Sequence, residues 1–238
     1  MKWSFSMVGC LIVLVLCTYG TFAQEYFQPQ ILPAYYTKRA PSIDGELKEW
    51  QHITPVYLSS TSPSWLQGFR VWEPKVTNEA IIPNQFSSAQ LWFMWDQKNL
   101  YVAARIWEEE ISKHSRLNIY LDPWGRRSNK VMPGQVCCRI AYATSLRDGA
   151  VIEDLSTRKI TRLLEVVTVP WNEGWIIEAT IPLNVVLGSP LLPEREMTCD
   201  ITLEKMNEVG SRKSALSYFG GMEHWLKSYA WGSMLLSE

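Results

Sequence analysis

The side chains best suited to acid–base chemistry form one carboxylate run, Glu108-Glu109-Glu110. A glycosidase uses two carboxylates that face each other across the substrate. Contiguous residues at the end of an edge strand rarely have that arrangement, and such a run is usually solvated. The chain has no G-x-S-x-G, H-E-x-x-H or P-loop motif, the patterns of serine hydrolases, zinc proteases and nucleotide-binding proteins. The sequence therefore predicts a binding protein rather than an enzyme.

Metal binding stays unassigned at this level. Carboxylate and carbonyl oxygens are ligands of Ca²⁺, so the run 108–110 could help to hold calcium. No complete ligand set can be matched to it, and no cysteines have the spacing of a zinc finger.

Aromatic side chains offer a different chemistry, the stacking of flat ligands. The chain has twelve tryptophans in 238 residues, far more than is usual. Most of them must lie in the core, because tryptophan buries a large area. A few exposed ones would suit a protein that stacks on flat ligands.

The first residues predict export. Lys2 precedes a short apolar run, residues 8–16, and Ala23 is a small residue at the expected cleavage point. This pattern predicts a secretory signal peptide over 1–23 and a mature domain over 24–238, with an uncleaved anchor as the alternative. We expect a secreted or extracytoplasmic protein, in the periplasm or at the cell surface, with no later transmembrane segment. The formal charge of −1 gives no electrostatic reason to expect nucleic acid or an anionic membrane as a partner.

Three cysteines follow the predicted cleavage point: Cys137, Cys138 and Cys199. Three is too few for a disulfide scaffold, so the core must hold the fold. Strand alternation directs Cys138 and Cys199 toward the core. A bridge between them and free buried thiols are both compatible with the sequence.

Strand-like runs recur along the chain and helical periodicity is weak. Ala89–Trp95 and Leu100–Trp107 predict a hairpin around the turn cluster 96–99, and Arg116–Asp122 alternates apolar and polar residues. About ten strands with Pro and Gly between them predict an all-β fold, an antiparallel β-sandwich or jelly roll. Two loop-like segments, 59–85 and 123–134, are where binding groups tend to lie. The other predicted strands are 135–143, 163–169, 174–182, 198–206, 214–219 and 232–236.

Five short motifs, in order from Pro41 to Leu236, resemble those of one known family. They are Pro41-Ser42-Ile43-Asp44-Gly45 with Trp50, Trp95-Asp96 with Leu100-Tyr101-Val102, Ser115–Asp122, Gly174–Pro182, and Trp225 with Trp231-Gly232. The chain is thereby similar to the family 9 carbohydrate-binding modules. Each motif is weak alone, but the ordered set is specific, and the resemblance implies a β-sandwich.

The resemblance also implies a sugar site. The family's site is an aromatic clamp, in which two tryptophans sandwich a terminal sugar and charged groups bind its hydroxyls. Trp225 matches one clamp residue, and Arg139 matches an arginine of the middle strand. Asn118 stands where the family has a glutamate, and Ser112 stands where it has the second clamp tryptophan. Half of the clamp is therefore missing.

Other residues could complete the site. Trp124 or Trp72, both in loop-like segments, could supply a second wall, and His224 could line the site beside Trp225. The predicted ligand-binding set is therefore Trp225, Arg139, Asn118, Trp124, Trp72 and His224.

Each candidate has an ordinary structural interpretation as well. Trp225 could close the end of the sandwich as a core residue, and Arg139 could pair with a carboxylate such as Asp122 or Glu204. Asn118 could be a solvated strand residue. Loop tryptophans often pack back onto their own domain.

The N-terminal pattern and the resemblance together predict a secreted, non-catalytic protein that binds sugars or polysaccharide ends, supports separate glycoside hydrolases, and requires no cofactor. Two alternatives remain open. Relatives of this sandwich hold haem b in the same groove, and Met132, Met206 and Met222 are available as axial ligands, although no spacing pairs them with Lys or His. The chain could also be a surface domain that binds another protein through its aromatic loops.

Overall fold

A computed structural model describes residues 31–58, 70–72, 88–147, 149–163, 165–187, 190–219 and 228–238. These residues form fourteen strands, one short helix and one 3₁₀ turn. The predicted signal peptide, 1–23, lies outside the described residues. The strands are β1 (Ile31–Tyr36), β2 (Val56–Leu58), β3 (Arg70–Trp72), β4 (Ser88–Trp95), β5 (Leu100–Trp107), β6 (Arg116–Asp122), β7 (Val136–Ala141), β8 (Ala150–Asp154), β9 (Ile160–Arg162), β10 (Val166–Trp171), β11 (Gly174–Ile181), β12 (Glu196–Met206), β13 (Arg212–Ser217) and β14 (Gly232–Ser237); the helix is α1 (Leu183–Leu187) and the 3₁₀ turn is Ser228–Ala230.

The all-β prediction is confirmed, with more strands than the ten predicted. Five strands, β1, β2, β3, β8 and β9, were not predicted. Three of these five, β2, β3 and β9, have only three residues each, which is too short for an alternating pattern to show. In the described part of the chain, no helix is both long and apolar enough to cross a membrane.

The strands follow one path through a continuous sheet, in the order β10-β11-β5-β4-β1-β14-β12-β6-β7-β8-β9. Strand β13 pairs with β12, β3 with β13, and β2 with β4. The pairs are antiparallel, as predicted, except that β1 runs parallel to both of its neighbours, β4 and β14. Strand β1 therefore joins two halves of the sandwich, β10-β11-β5-β4 and β14-β12-β6-β7-β8-β9.

One apolar core lies between these halves. It takes Phe93 and Trp175 from one half and Leu117, Ile119 and Cys138 from the other, all buried. The alternation predicted for β6 is confirmed on this face, because Leu117, Ile119 and Leu121 all belong to the core. A second apolar cluster covers the other side of β4 and β5, where Leu47, Trp50 and Ile53 pack on Trp92, Met94, Tyr101 and Ala103.

The hairpin of β4 and β5 has the connection that the sequence predicts. The Asp96 carboxylate accepts hydrogen bonds from the backbone N–H of Lys98 at 2.7 Å and of Asn99 at 2.8 Å. Its other oxygen accepts from the Tyr101 hydroxyl at 2.6 Å. A side chain that satisfies its own turn in this way fixes the hairpin register.

The first and fourth family motifs contact each other through Glu178 of β11. Its Oε2 accepts hydrogen bonds from the backbone N–H of Asp44 at 2.9 Å and of Gly45 at 2.6 Å. Its Oε1 accepts from the indole N–H of Trp50 at 2.7 Å. Trp50 is fully buried, so one carboxylate holds the Asp-Gly turn and the tryptophan against the sandwich.

The three cysteines of the described residues, Cys137, Cys138 and Cys199, are buried free thiols. Cys138 and Cys199 lie in the main core, as alternation predicts. Cys137 points to the opposite face and packs with Tyr120, Leu155 and Trp231. No bridge joins Cys138 to Cys199, so of the two possibilities left by the sequence, free buried thiols are observed.

Candidate functional site

A polar cleft of about 140 Å³ lies on the outer face of strands β13, β12, β6, β7 and β8. One wall consists of Arg116, Glu204 and Arg212. The other consists of Arg139, Glu153 and Arg158. The floor between them is formed by Asn118, Tyr120, Cys137 and Leu155.

Strand alternation explains why these side chains share a face. Leu117 and Ile119 enter the core, so Asn118 and Tyr120 of the same strand point to the opposite side. Asn118 is the cross-strand partner of Arg139 on β7. On its other side Asn118 is paired with Thr202 of β12, to whose hydroxyl its amide donates a hydrogen bond at 3.1 Å.

Each wall is an Arg–Glu–Arg triad built from neighbouring elements. In the first triad, Glu204 of β12 is buried and forms ion pairs with Arg116 of β6 and Arg212 of β13. The three residues lie on adjacent strands, and the carboxylate between two guanidinium groups fixes both. Charge-assisted contacts of this kind are stronger than neutral hydrogen bonds.

The second triad holds Arg139. The Arg139 Nη2 lies 3.2 Å from the Glu153 Oε2, and the Arg158 Nη1 lies 2.8 Å from the Glu153 Oε1. Glu153 of β8 was not among the carboxylates that the sequence suggested for Arg139, which were Asp122 and Glu204. The register of β7 and β8 explains this pairing. Glu153 of β8 lies opposite Cys137 of β7, and Arg139 follows Cys137 by two residues on β7, so both side chains are on the same face.

The floor of the cleft is uncharged. Burial raises the pKa of Tyr120 well above its ordinary value. Burial also raises the pKa of the Cys137 thiol to about 12, although the Arg139 charge opposes that shift. Both groups are therefore neutral at physiological pH, and the charge of the cleft comes from its two walls.

Behind the floor, Trp231 supports Tyr120. Their ring centroids are 5.9 Å apart and the rings are tilted by 44°. Trp231 is buried, so the Trp231-Gly232 motif contributes to the packing beneath the cleft.

Trp124 does not line this cleft. Its side chain is 42% exposed and the Arg126 guanidinium lies over its indole at 4.7 Å from the ring centroid. The indole also covers Gly134, where a Cβ atom would lie 2.2 Å from Cζ3. Trp124 therefore packs on its own loop, which is the ordinary structural role considered above.

Asp122 orders the loop that carries Trp124. This buried carboxylate accepts hydrogen bonds from the Trp124 backbone N–H at 3.0 Å and the Gln135 amide at 3.0 Å. The Arg126 Nε donates to it at 3.1 Å. The segment 123–134 is thus a fixed loop, and Asp122 is committed to it.

For three other predicted residues, the structure describes no side chain. Trp225 and His224 lie outside the described residues. Trp72 lies in β3, which pairs with β13 so that Trp72 is opposite Ala215. Strand β13 also carries Arg212, so Trp72 belongs to a strand next to one that lines the cleft.

Ser112 has a structural role. Its hydroxyl is buried, donates to the Asn207 carbonyl at 3.0 Å and accepts from the His114 backbone N–H at 3.2 Å. Ser112, at the position that aligns with a clamp tryptophan, therefore links the segment before β6 to the segment after β12 by a hydrogen bond.

The carboxylate run divides into one buried and two exposed members. Glu108 was expected to be solvated, but it is buried and accepts from the Ser115 hydroxyl at 2.6 Å and the Trp175 indole at 3.0 Å. Glu109 and Glu110 are exposed, as predicted. The partners of Glu108 are Trp175 on β11 and Ser115 before β6. Because neither belongs to the run 108–110, the local pattern wrongly predicted that Glu108 is solvated.

Among the described residues, no group of three or more His, Cys, Asp or Glu side chains is arranged to hold a metal ion. A calcium site thus remains unassigned. Of the three methionines considered for haem, Met206 is buried and Met132 is half-buried, while Met222 lies outside the described residues.

A scan against models of protein families finds no match, and a search of curated proteins finds no relative. Solved structures are similar, however. A family 9 carbohydrate-binding module from Caldicellulosiruptor kristjanssonii in complex with cellotriose superposes with a TM-score of 0.61 at 16% identity, over 87% of this chain and 94% of that one. The fold is that of a family 9 carbohydrate-binding module.

Two further structures agree. The same type of module from C. kristjanssonii in complex with glucose gives a TM-score of 0.59 at 16% identity, over 86% of this chain and 95% of that one. A candidate carbohydrate-binding protein from Bacteroides uniformis gives 0.52 at 9% identity, over 88% and 100%. The family 9 fold predicted from the ordered motifs is therefore confirmed.

Most of the cleft was missed by sequence reasoning. Arg116, Glu153, Arg158, Glu204 and Arg212 were not proposed as site residues. A signal for one of them existed, because alternation places Arg116 on the same face of its strand as Asn118. Glu153, Glu204 and Arg212 belong to strands whose neighbours no local pattern identifies, and Arg158 lies between β8 and β9.

Proposed function

We propose that this chain is a non-catalytic protein that binds carbohydrate in the cleft around Arg139 and Asn118. The observation that carries the proposal is a juxtaposition. Asn118 and Arg139, which the family resemblance assigns to a sugar site, are cross-strand partners on β6 and β7 and line one cleft of a family 9 fold.

The chemistry of the cleft suits a sugar. Sugar hydroxyls both donate and accept hydrogen bonds, and a site for them needs both functions in fixed positions. The guanidinium groups donate and the carboxylates accept. Asn118 is buried and donates to the Thr202 hydroxyl, so it supports the floor beneath these groups. Because the triads hold the charged groups across adjacent strands, the cleft is largely preformed.

The cleft is open to solvent and has a volume of about 140 Å³. We infer that it holds a terminal sugar ring, the ligand that the family resemblance implies. Two of the similar structures are complexes with cellotriose and glucose, which supports carbohydrate as the ligand class.

The proposal also includes a cellular location and a role outside the cytoplasm. We propose that residues 1–23 direct export and that the protein acts outside the cytoplasm, where it brings separate glycoside hydrolases to their substrate. The N-terminus of the exported protein is then expected at Gln24.

The binding proposal is tested by a glycan and polysaccharide screen of the purified chain, followed by calorimetry with Arg139→Gln. Loss of a charge-assisted hydrogen bond costs about 1.5–3 kcal/mol, so the variant should bind about 10–100-fold more weakly. The control is Arg39→Gln, which removes the same charge from an exposed residue outside the cleft.

Three results would contradict the proposal. These are an empty screen, equal binding by Arg139→Gln and Arg39→Gln, and a Soret band in the visible spectrum of the same sample. The last would favour the haem alternative. Circular dichroism and urea unfolding of each variant separate loss of binding from loss of fold.

A further inference from the structure

Two tryptophans lie side by side on the outer face of the other half of the sandwich. Ala104 and Ile106 of β5 belong to the core, so Trp107 of the same strand points outward. Trp107 is the cross-strand partner of Gly174 on β11, and Gly174 is the partner of Trp171 on β10. Because Gly174 has no side chain, the two indoles meet across it, with their ring centroids 5.6 Å apart.

The two indole rings form a corner, and the fold holds each ring in place. The rings are inclined to each other by 84°. The Trp107 Nε1 donates a hydrogen bond to the Glu173 Oε2 at 3.0 Å, and the Trp171 Nε1 donates to the Ile106 carbonyl at 3.2 Å. Both N–H groups are thus used within the fold, while both side chains are only half-buried. The corner therefore presents apolar ring surface to solvent.

A guanidinium and a carboxylate flank the corner. The Arg105 Cζ lies over the Trp171 indole, 5.5 Å from the ring centroid, and the exposed Glu173 contacts Trp107. The buried Nε of Arg105 has no hydrogen-bond partner in the part of the chain that the structure describes. A buried donor without a partner costs free energy, so the fold leaves hydrogen-bonding capacity unused at this position.

Polar side chains continue from the corner along the same face. Gln90 of β4 is the cross-strand partner of Arg105, and Tyr57 of β2 is the partner of Gln90. The Gln90 amide donates to the Tyr57 hydroxyl at 3.1 Å, and Tyr57 is 55% exposed. The face thus offers an amide and a further aromatic ring beside the guanidinium.

The corner and the cleft are on opposite sides of the molecule. The cleft lies on the outer face of β13, β12, β6, β7 and β8, and the corner lies on that of β5, β11 and β10, with the core between the two halves. None of the described residues that line the cleft is a tryptophan. The tryptophan pair is therefore a separate feature, which the proposed function does not use.

We propose that the corner is a second carbohydrate site, which binds a pyranose unit of an oligosaccharide or polysaccharide. A pyranose ring has an apolar C–H face that packs on an indole, and its hydroxyls can accept from Arg105 and Gln90 and donate to Glu173. The inference takes its ligand class from the proposed function and goes beyond it. A chain with sites on opposite faces binds two glycan segments at once, which raises its overall affinity for a polysaccharide.

The test is calorimetry on the purified chain with cellohexaose, xylohexaose and laminarihexaose as probes. Trp107→Ala and Trp171→Ala should each weaken the binding of at least one probe about 2–10-fold. Arg105→Gln, which leaves both indoles in place, should weaken it about 10-fold. The control Tyr36→Ala removes an exposed ring that belongs to neither the corner nor the cleft and should not change the affinity. Urea unfolding of each variant checks that the fold is retained.

Arg139→Gln separates the corner from the cleft, because the binding assigned to the corner should persist in that variant. Binding that is lost in Arg139→Gln and equal to wild type in all three corner variants would overturn the corner and leave the proposed function standing. The reverse pattern would overturn the cleft and leave the corner. Wild-type chain that binds no probe would overturn the corner, while the wider glycan screen decides the proposed function. Self-association that Trp107→Ala abolishes would assign the corner to a second copy of the chain and also overturn the proposal.

Discussion

Gly45 has a backbone conformation and a neighbour that exclude a side chain. Its φ is +87°, and a Cβ atom would lie 2.9 Å from the Val169 Cγ1 and 3.0 Å from the Cγ2. The left-handed conformation alone costs a residue with a Cβ about 1–2 kcal/mol. We expect Gly45→Ala to lower the free energy of unfolding by more than that amount, measured by urea denaturation.

The matched control for this prediction is Gly210→Ala. Gly210 has a φ of +78°, but its nearest atom would be the His114 Cγ at 3.7 Å. The two variants therefore share the conformational cost and differ in the contact. Equal destabilisation by both would show that the contact with Val169 contributes nothing.

Single residues were also where sequence reasoning was least complete. Arg139 and Asn118 could be proposed because short motifs contain them, but the partner of Arg139 could not. Glu153 reaches Arg139 because β7 and β8 pair in one register, and that register depends on the whole sheet. Glu108 was misplaced for the same reason, since its partner Trp175 belongs to β11.

At the scale of elements, Glu178 links β11 to the Asp44–Gly45 turn and to Trp50. Burial raises the pKa of Glu178, while hydrogen bonds from Gly45, Trp50 and Asp44 act against the shift. A carboxyl with a raised native pKa binds more protons in the native state than in the unfolded state. Its contribution to stability is therefore greatest below about pH 4.3, the unfolded value, and falls as the pH rises through the native pKa.

The variant Glu178→Gln tests this linkage. The amide nitrogen cannot accept a hydrogen bond, so one of the three donors around it loses its partner, at a cost of about 1–3 kcal/mol. Because the wild type loses stability with pH and the amide does not titrate, the stability difference between them should narrow between pH 4 and pH 7. Urea unfolding at both pH values measures it.

An exposed carboxyl provides the comparison. Glu109→Gln should change the free energy of unfolding by less than about 0.5 kcal/mol. A difference between wild type and Glu178→Gln that stays constant, or widens with pH, would contradict the assigned pKa shift.

Sequence patterns correctly predicted the strands and turns that depend only on residues close together in the chain. Strand β6 has the bounds predicted from its alternation, and the β4–β5 hairpin has the predicted four-residue connection. The connection between β10 and β11 has two residues, Asn172 and Glu173, instead of the predicted four. Strand β1 and its parallel pairing could not be predicted, because its neighbours β4 and β14 are distant in sequence.

For the whole molecule, the three buried thiols report on unfolding, Cys138 and Cys199 from the main core and Cys137 from the floor of the cleft. The thiolate is the reactive form of cysteine. Burial raises the pKa of Cys137 to about 12, and it raises the pKa of Cys138 and Cys199 well above the ordinary value. We expect their alkylation at pH 8 to proceed only as fast as the protein unfolds, as followed by mass spectrometry of the cysteine-containing peptides.

Alkylation in urea above the unfolding midpoint is the control, and all three cysteines should then react. Rapid alkylation of any of them in the native protein would contradict their burial. A cross-linked peptide containing Cys138 and Cys199 would instead identify a disulfide in place of the two free thiols.

The position of β14 has a consequence for how the molecule is made. The final strand of the chain lies between β1 and β12, in the middle of the sheet, and Ile31 pairs with Ser233. Until β14 has been synthesised, β1 has no partner on the β12 side, and the two halves of the sandwich are not joined. Contacts between the ends of a chain also slow folding.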